Sequence, residues 1–149
     1  MGAVVVRDEV ALGTDYPCQA RVTAFGGSGT EVPTEGKAVQ RVDVASITCA
    51  RYDLGSLADL IADIESPATN IGTSTLTVAG AISDTLIVDD LWSRWGRPID
   101  TIGRNFLFVV PSVMFTEQHI YRITFALTLG DGLMVSWAHE IEAKDLATV

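Results

Sequence analysis

The sequence predicts a mainly β chain, folded as a single antiparallel β-sandwich with one short helix or helical loop. Three observations predict it. Apolar residues alternate with polar ones over several short stretches, clusters of Gly, Pro, Asn, Asp and Ser punctuate those stretches at near-regular intervals, and one segment alone has apolar residues at helical spacing. About seven short strands of this kind make a sandwich the expected architecture, with a closed barrel as the alternative. At 149 residues the chain fits one domain that needs no disulfide or metal staple. Residues 16–149 are read as the sandwich and residues 1–15 as an N-terminal arm or edge strand.

Residues 121–141, YRITFALTLGDGLMVSWAHEI, carry the clearest pattern and read as a β-hairpin. Tyr121, Ile123, Phe125, Leu127 and Leu129 share one parity, and Leu133, Val135, Trp137 and Ile141 share another run of odd numbers. Opposed residues in a sheet lie on one face, so a three-residue turn at 130–132 fits and a two-residue turn does not. The expected pairs are Leu129 with Leu133, Leu127 with Val135, Phe125 with Trp137, and Ile123 with His139. Gly132 suits the left-handed position of such a turn.

Upstream, AVVV at 3–6 is β-prone and precedes the charges Arg7 to Glu9. It is an edge strand or an extended arm reaching a neighbour. Residues 16–25 alternate Cys18, Ala20, Val22 and Ala24 against Gln19, Arg21 and Thr23, as a first sandwich strand. The Gly- and Ser-rich stretch 26–37 reads as a surface loop. It lacks the spacing of a phosphate-cradling loop, since Gly36-Lys37 is followed by Ala38. Residues 39–52 are strand-like with a change of parity near Ala45-Ser46, the signature of a bulge. Between 53 and 70, Leu57, Leu60, Ile61 and Ile64 fall at helical spacing, with Ser56 and Asp59 as a capping box and Pro67 as a stop. Two strands are expected over 75–78 and 82–88, separated by Ala79-Gly80. A loop then holds two of the three tryptophans, before the compact strand 105–110 that Pro111 ends.

Composition narrows the function classes. The hydrophobic fraction is 48% and the mean hydropathy +0.30, an excess that suggests apolar surface buried by partner chains. The net charge of -9 argues against direct binding of nucleic acid, whose affinity rests on Lys and Arg displacing counterions. Arg supplies most of the positive charge, with Lys37 and Lys144 the two lysines; interface chemistry and genomic base composition explain that equally. No window reaches the length of a membrane span, and the N-terminus lacks the basic region of a signal peptide, so no membrane association is expected. Cys18 and Cys49 are read as free buried thiols.

No enzyme or cofactor motif stands out. Gly26-Gly27-Ser28-Gly29 is not a nucleophile elbow. His119 and His139 lie in one hairpin, but the expected register keeps them apart, one at a loop edge and one near the core margin. Asp84, Asp89, Asp90 and Asp100 lack EF-hand spacing and read as a solvated acidic rim. The best partner-binding candidates are Trp92, Arg94, Trp95, Arg97 and Arg104, because aromatic and Arg side chains dominate interface energetics; core packing of a tryptophan and an aromatic carbohydrate platform are the rivals. Val4, Val5, Val6 and Arg7 of the N-terminal stretch are the second candidate set.

Between Leu76 and Phe125 the chain reads LTVAGAISDTLIVDDLW, then IGRNFLFVVP, then YRITF. These pieces resemble a small immunoglobulin-like module of tailed-bacteriophage virion proteins, in which an Ile-x-Asp-Thr-Leu strand, a Trp-bearing loop and an Asn-Phe-x-x-x-Val-Pro strand precede a Tyr-bearing one. Tyr121 is similar to the tyrosine-corner position, whereas the cysteine pair of antibody domains is absent, with Ile123 at the second position. The resemblance implies an immunoglobulin-like sandwich and a structural, non-enzymatic virion role with no cofactor. A capsid decoration (cement) protein on the outer face of a tailed-phage head is the first expectation. Its partners would be the major capsid protein or other virion proteins, and it would form a homo-oligomer in the assembled particle after synthesis in the host cytoplasm. The alternative is a tail or baseplate component contacting the host surface or its glycans. Baseplate proteins with such a module continue into a long C-terminal region, and this chain ends shortly after Ile141, which favours decoration.

Overall fold

The computed structural model describes residues 4–24, 37–56, 69–87 and 104–145. Among them the chain is mainly β, with two sheets facing each other and one short helix. The strands are β1 Val4–Ala11, β2 Tyr16–Ala20, β3 Thr23–Ala24, β4 Lys37–Ala38, β5 Val44–Ser56, β6 Thr69–Leu76, β7 Ile82–Ile87, β8 Arg104–Val110, β9 His119–Leu129 and β10 Met134–Lys144. A five-stranded sheet has the order β1-β10-β9-β5-β6 and a three-stranded sheet the order β2-β8-β7, while β3 and β4 form a two-stranded ribbon.

The hairpin forms in the expected register. Val135 pairs with Leu127, Trp137 with Phe125 and His139 with Ile123. The Leu129 N–H donates to the Leu133 carbonyl at 2.8 Å, and Gly132 has φ +91°, so the turn is the three-residue one. The alternation of buried and half-buried residues holds along β9 from Ile120 to Leu129. It fails at the tip, where Leu133 is 62% exposed instead of facing the core. His139 departs the other way: it is fully buried, not at the core margin, because its inward parity places it between Tyr16 and Phe125.

The two sheets meet through aromatic rings. Phe106 of β8 stands edge-on to Phe125 at 4.8 Å and to Trp137 at 4.9 Å between centroids, while Phe125 and Trp137 stack at 5.4 Å within the large sheet. Such contacts add about 0.5–1.5 kcal/mol each beyond their burial. Cys18 and Cys49 are buried free thiols in the same core. Burial pushes the Cys18 thiol well above its ordinary value, with the neighbouring Cys49 adding to the shift. Burial also takes Cys49 up to about 11, opposed by the Arg51 cation.

Asn105, 1% exposed, closes the small ribbon onto β8. Its side-chain oxygen accepts from the Val22 N–H at 2.7 Å and its amide donates to the Val22 and Val39 carbonyls at 2.8 and 3.0 Å. At the opposite end of the sandwich the Tyr121 hydroxyl accepts from the Glu117 N–H at 3.3 Å and lies 3.4 Å from the Glu117 carbonyl. A phenol at the start of the penultimate strand thus pins the backbone just upstream, the tyrosine-corner geometry.

Several boundaries differ from expectation. The N-terminal stretch is an edge strand, and β1 pairs with β10 in parallel, so among the described strands one pair is parallel and the others antiparallel. The first sandwich strand breaks after Ala20, because the chain leaves β2 to form β3 with β4. Residues 41–43 form a single 3-10 turn, and Val42, expected in a strand, is 86% exposed. The bulge near Ala45 is present as a register shift between Val44 and Ser46. β5 continues through Ser56, so 53–56 are strand; the helix expected downstream of them lies outside the described residues. β6 starts at Thr69, earlier than expected, and one helical turn, α1 Val78–Ala81, joins it to β7.

Candidate functional site

One end of the sandwich gathers the features that a binding surface needs. β9 ends there at Leu129, β10 begins there at Met134, and β5 begins there at Val44, the register partner of Leu129. The 3-10 turn sits directly against the hairpin tip: the Gly130 N–H donates to the Asp43 carbonyl at 2.9 Å. From these two turns Val42, Leu133 and Met134 project, 86%, 62% and 66% exposed.

The turns are held from every side. Gln40 and Asp43 cap each other, with the Asp43 carboxylate accepting from the Gln40 N–H at 3.0 Å and the Gln40 carbonyl accepting from the Asp43 N–H at 3.0 Å. Arg41 is tied to β7, its N–H donating to Asp84 Oδ1 at 2.8 Å and its Nε to the Ile82 carbonyl at 2.7 Å. Asp131 Oδ1 accepts from the Leu133 N–H at 3.0 Å. Turns fixed this way have little backbone freedom left to lose when a partner covers them, which lowers the cost of docking. Asp43, Asp84 and Asp131 give the rim of this end an acidic bias, opposed by Arg41.

Of the residues singled out from the sequence, Trp92, Arg94, Trp95 and Arg97 lie outside the described residues. Their flanks do not: Ile87 and Arg104 are register partners on β7 and β8, and Arg104 is half-buried. Asp84, further back on β7, bonds the same 3-10 turn. Val4, Val5, Val6 and Arg7 are brought into the sheet as part of β1, away from the tip. Val6 is half-buried in register with His139. Arg7 is exposed, and its Nε reaches Glu140 Oε2 at 3.3 Å, while Arg122 Nη2 holds the other oxygen at 2.7 Å. Of the first set the structure thus describes Arg104 alone, at the start of the central strand of the small sheet, while the second set lies on the β1 edge of the large sheet.

Val42, Leu133 and Met134 escaped the sequence reading. Parity places Val42 and Leu133 in strands and Met134 at an outward strand position. No signal marks the exposure of Val42 or Leu133, because parity does not say whether a second sheet covers a face.

The remaining polar cluster lies at the other end. His119 Nδ1 is 2.9 Å from both Asp53 carboxylate oxygens, and its Nε2 is 2.8 Å from Glu117 Oε2. Ser56 is the register partner of His119. With Nδ1 turned to Asp53 and Nε2 to Glu117, the ring braces β5, β9 and the turn before β9. Among the described residues no group of three or more His, Cys, Asp or Glu side chains is arranged to hold a metal ion, and no helix is long and apolar enough to cross a membrane. No family model, curated protein or solved structure matches the chain.

Proposed function

We propose that this chain is a structural virion protein, a capsid decoration subunit that binds the outer face of a tailed-phage head through the end of its sandwich bearing Val42, Leu133 and Met134. The observation that carries the docking role is the exposure of those three apolar side chains on hydrogen-bonded turns. The virion role rests on the resemblance of the segment from Leu76 to Phe125.

Strand order supports the immunoglobulin-like reading. The order β2-β8-β7 corresponds to strands B, E and D of such a sandwich, and β10-β9-β5-β6 to G, F, C and C′. In that correspondence the 130–132 turn is the F–G connection and the 3-10 turn closes the B–C connection, the loops with which variable domains bind their targets. The Tyr121 bonds to Glu117 add to it. In this role the chain performs no catalytic step, takes no cofactor, and has the major capsid protein as its partner.

The test is binding of the purified protein to heads that lack it, followed by particle imaging. Hundreds of copies on the shell are expected, and Val42→Asp, Leu133→Asp and Met134→Asp together should abolish binding while leaving the far-UV spectrum and the melting transition in place. Binding by that triple variant at the wild-type level would overturn the docking end. A few to a few dozen copies, confined to the tail, would replace decoration with a tail or baseplate role.

A further inference from the structure

Arg51 is the odd residue of the inner face. It shares parity with Ile47 and Cys49 of β5, both fully buried, and its register partners are Ile123 and Gly72. Its guanidinium lies close against the edge strand: a Cβ at Gly72 would sit 3.2 Å from Nη2 and 3.3 Å from Nε, a tight fit that the flexible Arg51 side chain would have to yield to. Its one polar contact among the described residues is Ser74 Oγ, 3.5 Å from Nη2, and its Nε is buried with no hydrogen-bond partner. A guanidinium has five donors, and a desolvated donor without an acceptor costs about 1–3 kcal/mol. The buried Nε is thus left without an acceptor in a half-buried cation, and an anionic group brought to this edge would supply one.

Among the described residues no strand pairs with the outer side of β6. β6, TNIGTSTL, carries no charge and no proline, the devices by which exposed edges are normally protected from pairing. β1, VVVRDEVA, is the other edge of the same sheet and does carry charges. Following the pairings across the sheet, β6 runs opposite to β1. A second copy displaced along the sheet thus presents its β1 antiparallel to β6.

We propose that β6 accepts β1 of a second copy, joining the five-stranded sheets of successive copies head to tail. One register matches the chemistry. With Asp8 of the second copy opposite Gly72, its carboxylate meets the Arg51 guanidinium from the inner face. Val6 then lies opposite Ser74, and Arg7 stands opposite Thr73 on the outer face. Asp8 already belongs to the inner face of its own sheet, where Oδ2 accepts from the Tyr16 hydroxyl at 2.5 Å. The symmetric alternative, β6 against β6, brings two Arg51 cations to one seam and is disfavoured by like-charge repulsion. Unlike surfaces joined this way build rings or filaments, not closed dimers. This inference does not rest on the virion assignment, because self-association is measured on the purified chain alone.

Sedimentation velocity over a concentration series tests it. The wild-type chain is expected to self-associate beyond the dimer. Thr73→Lys, which sets a second cation opposite Arg7, should weaken association about tenfold or more, as like charges across a strand pair do. Adding Arg7→Glu to Thr73→Lys should restore association, and Arg51→Met should weaken it without lowering the melting temperature of the monomer. A wild-type chain that stays monomeric at high micromolar concentration would overturn the proposal. So would association indifferent to Thr73→Lys, or a double variant that fails to recover, the result expected of β6 pairing with β6.

Discussion

Asn105 spends its amide on the backbone of Val22 and Val39, and those backbone groups have no water to turn to. Replacing it with Leu, close in volume, strands the Val22 N–H and the Val39 carbonyl in the core, while the Val22 carbonyl keeps the Val39 N–H, and the expected loss is about 2–4 kcal/mol in urea unfolding. Phe125→Ala removes the ring that Phe106, Phe108 and Trp137 all touch, with an expected cost of about 3–5 kcal/mol. Tyr121→Phe keeps the ring and loses only the long bonds to Glu117, so about 0.5–1.5 kcal/mol is expected. The thiols predict a pH dependence. Cys49 titrates from 9.0 to about 11 on folding, so the native state holds its proton longer than the unfolded chain. Its contribution is complete below pH 9 and is lost as pH rises toward 11. Replacing Cys18 and Cys49 with Ala should flatten this alkaline limb of the stability profile, as read by unfolding at pH 8, 9.5 and 11. An unchanged slope would mean that other groups carry it.

At the scale of elements, the β9–β10 hairpin was legible because alternation has a period of two and an odd-numbered turn is forced once both strands share parity. Gly132 was legible for the same reason. Gly132→Ala is expected to cost about 1 kcal/mol or more, because φ +91° disfavours any side chain. Gly130→Ala should be close to neutral, since its Cβ would meet only the Asp43 carbonyl at an ordinary 3.9 Å. Thermal melts of the two variants check the contrast. The breaks at Ala20 and at Arg41–Asp43 were not legible. Nothing local in YPCQARVTA or VQRVDV says where a strand leaves its sheet; the β3–β4 ribbon and its Asn105 clasp decide that through contacts far apart in sequence.

For the whole molecule, the sandwich places its two ends in different roles. One end is braced by the Tyr121 corner and by His119 between Asp53 and Glu117. The other presents Val42, Leu133 and Met134 on hydrogen-bonded turns, while Val113 is the strongly exposed apolar side chain of the braced end; exposure of this kind predicts that charge placed at Val42, Leu133 or Met134 is tolerated by the fold. Single Asp substitutions there should change stability by less than about 0.5 kcal/mol, as surface changes commonly do. An inward Asp at Ile123 should instead prevent folding at ordinary temperature. Soluble expression and melting of the two classes separate them.

The amino-acid sequence by itself determined the mainly β class, the hairpin register and the inward residues of β9, because each follows from parity and turn chemistry within a short stretch. The tertiary structure decided the parallel docking of β1 on β10, the burial of His139, the Arg51 cation left against Gly72, and the exposure of Val42 and Leu133. Parity says which face of its own strand a residue occupies. Whether a second sheet covers that face, and whether a neighbouring strand caps its edge, depends on contacts between segments that are distant along the chain.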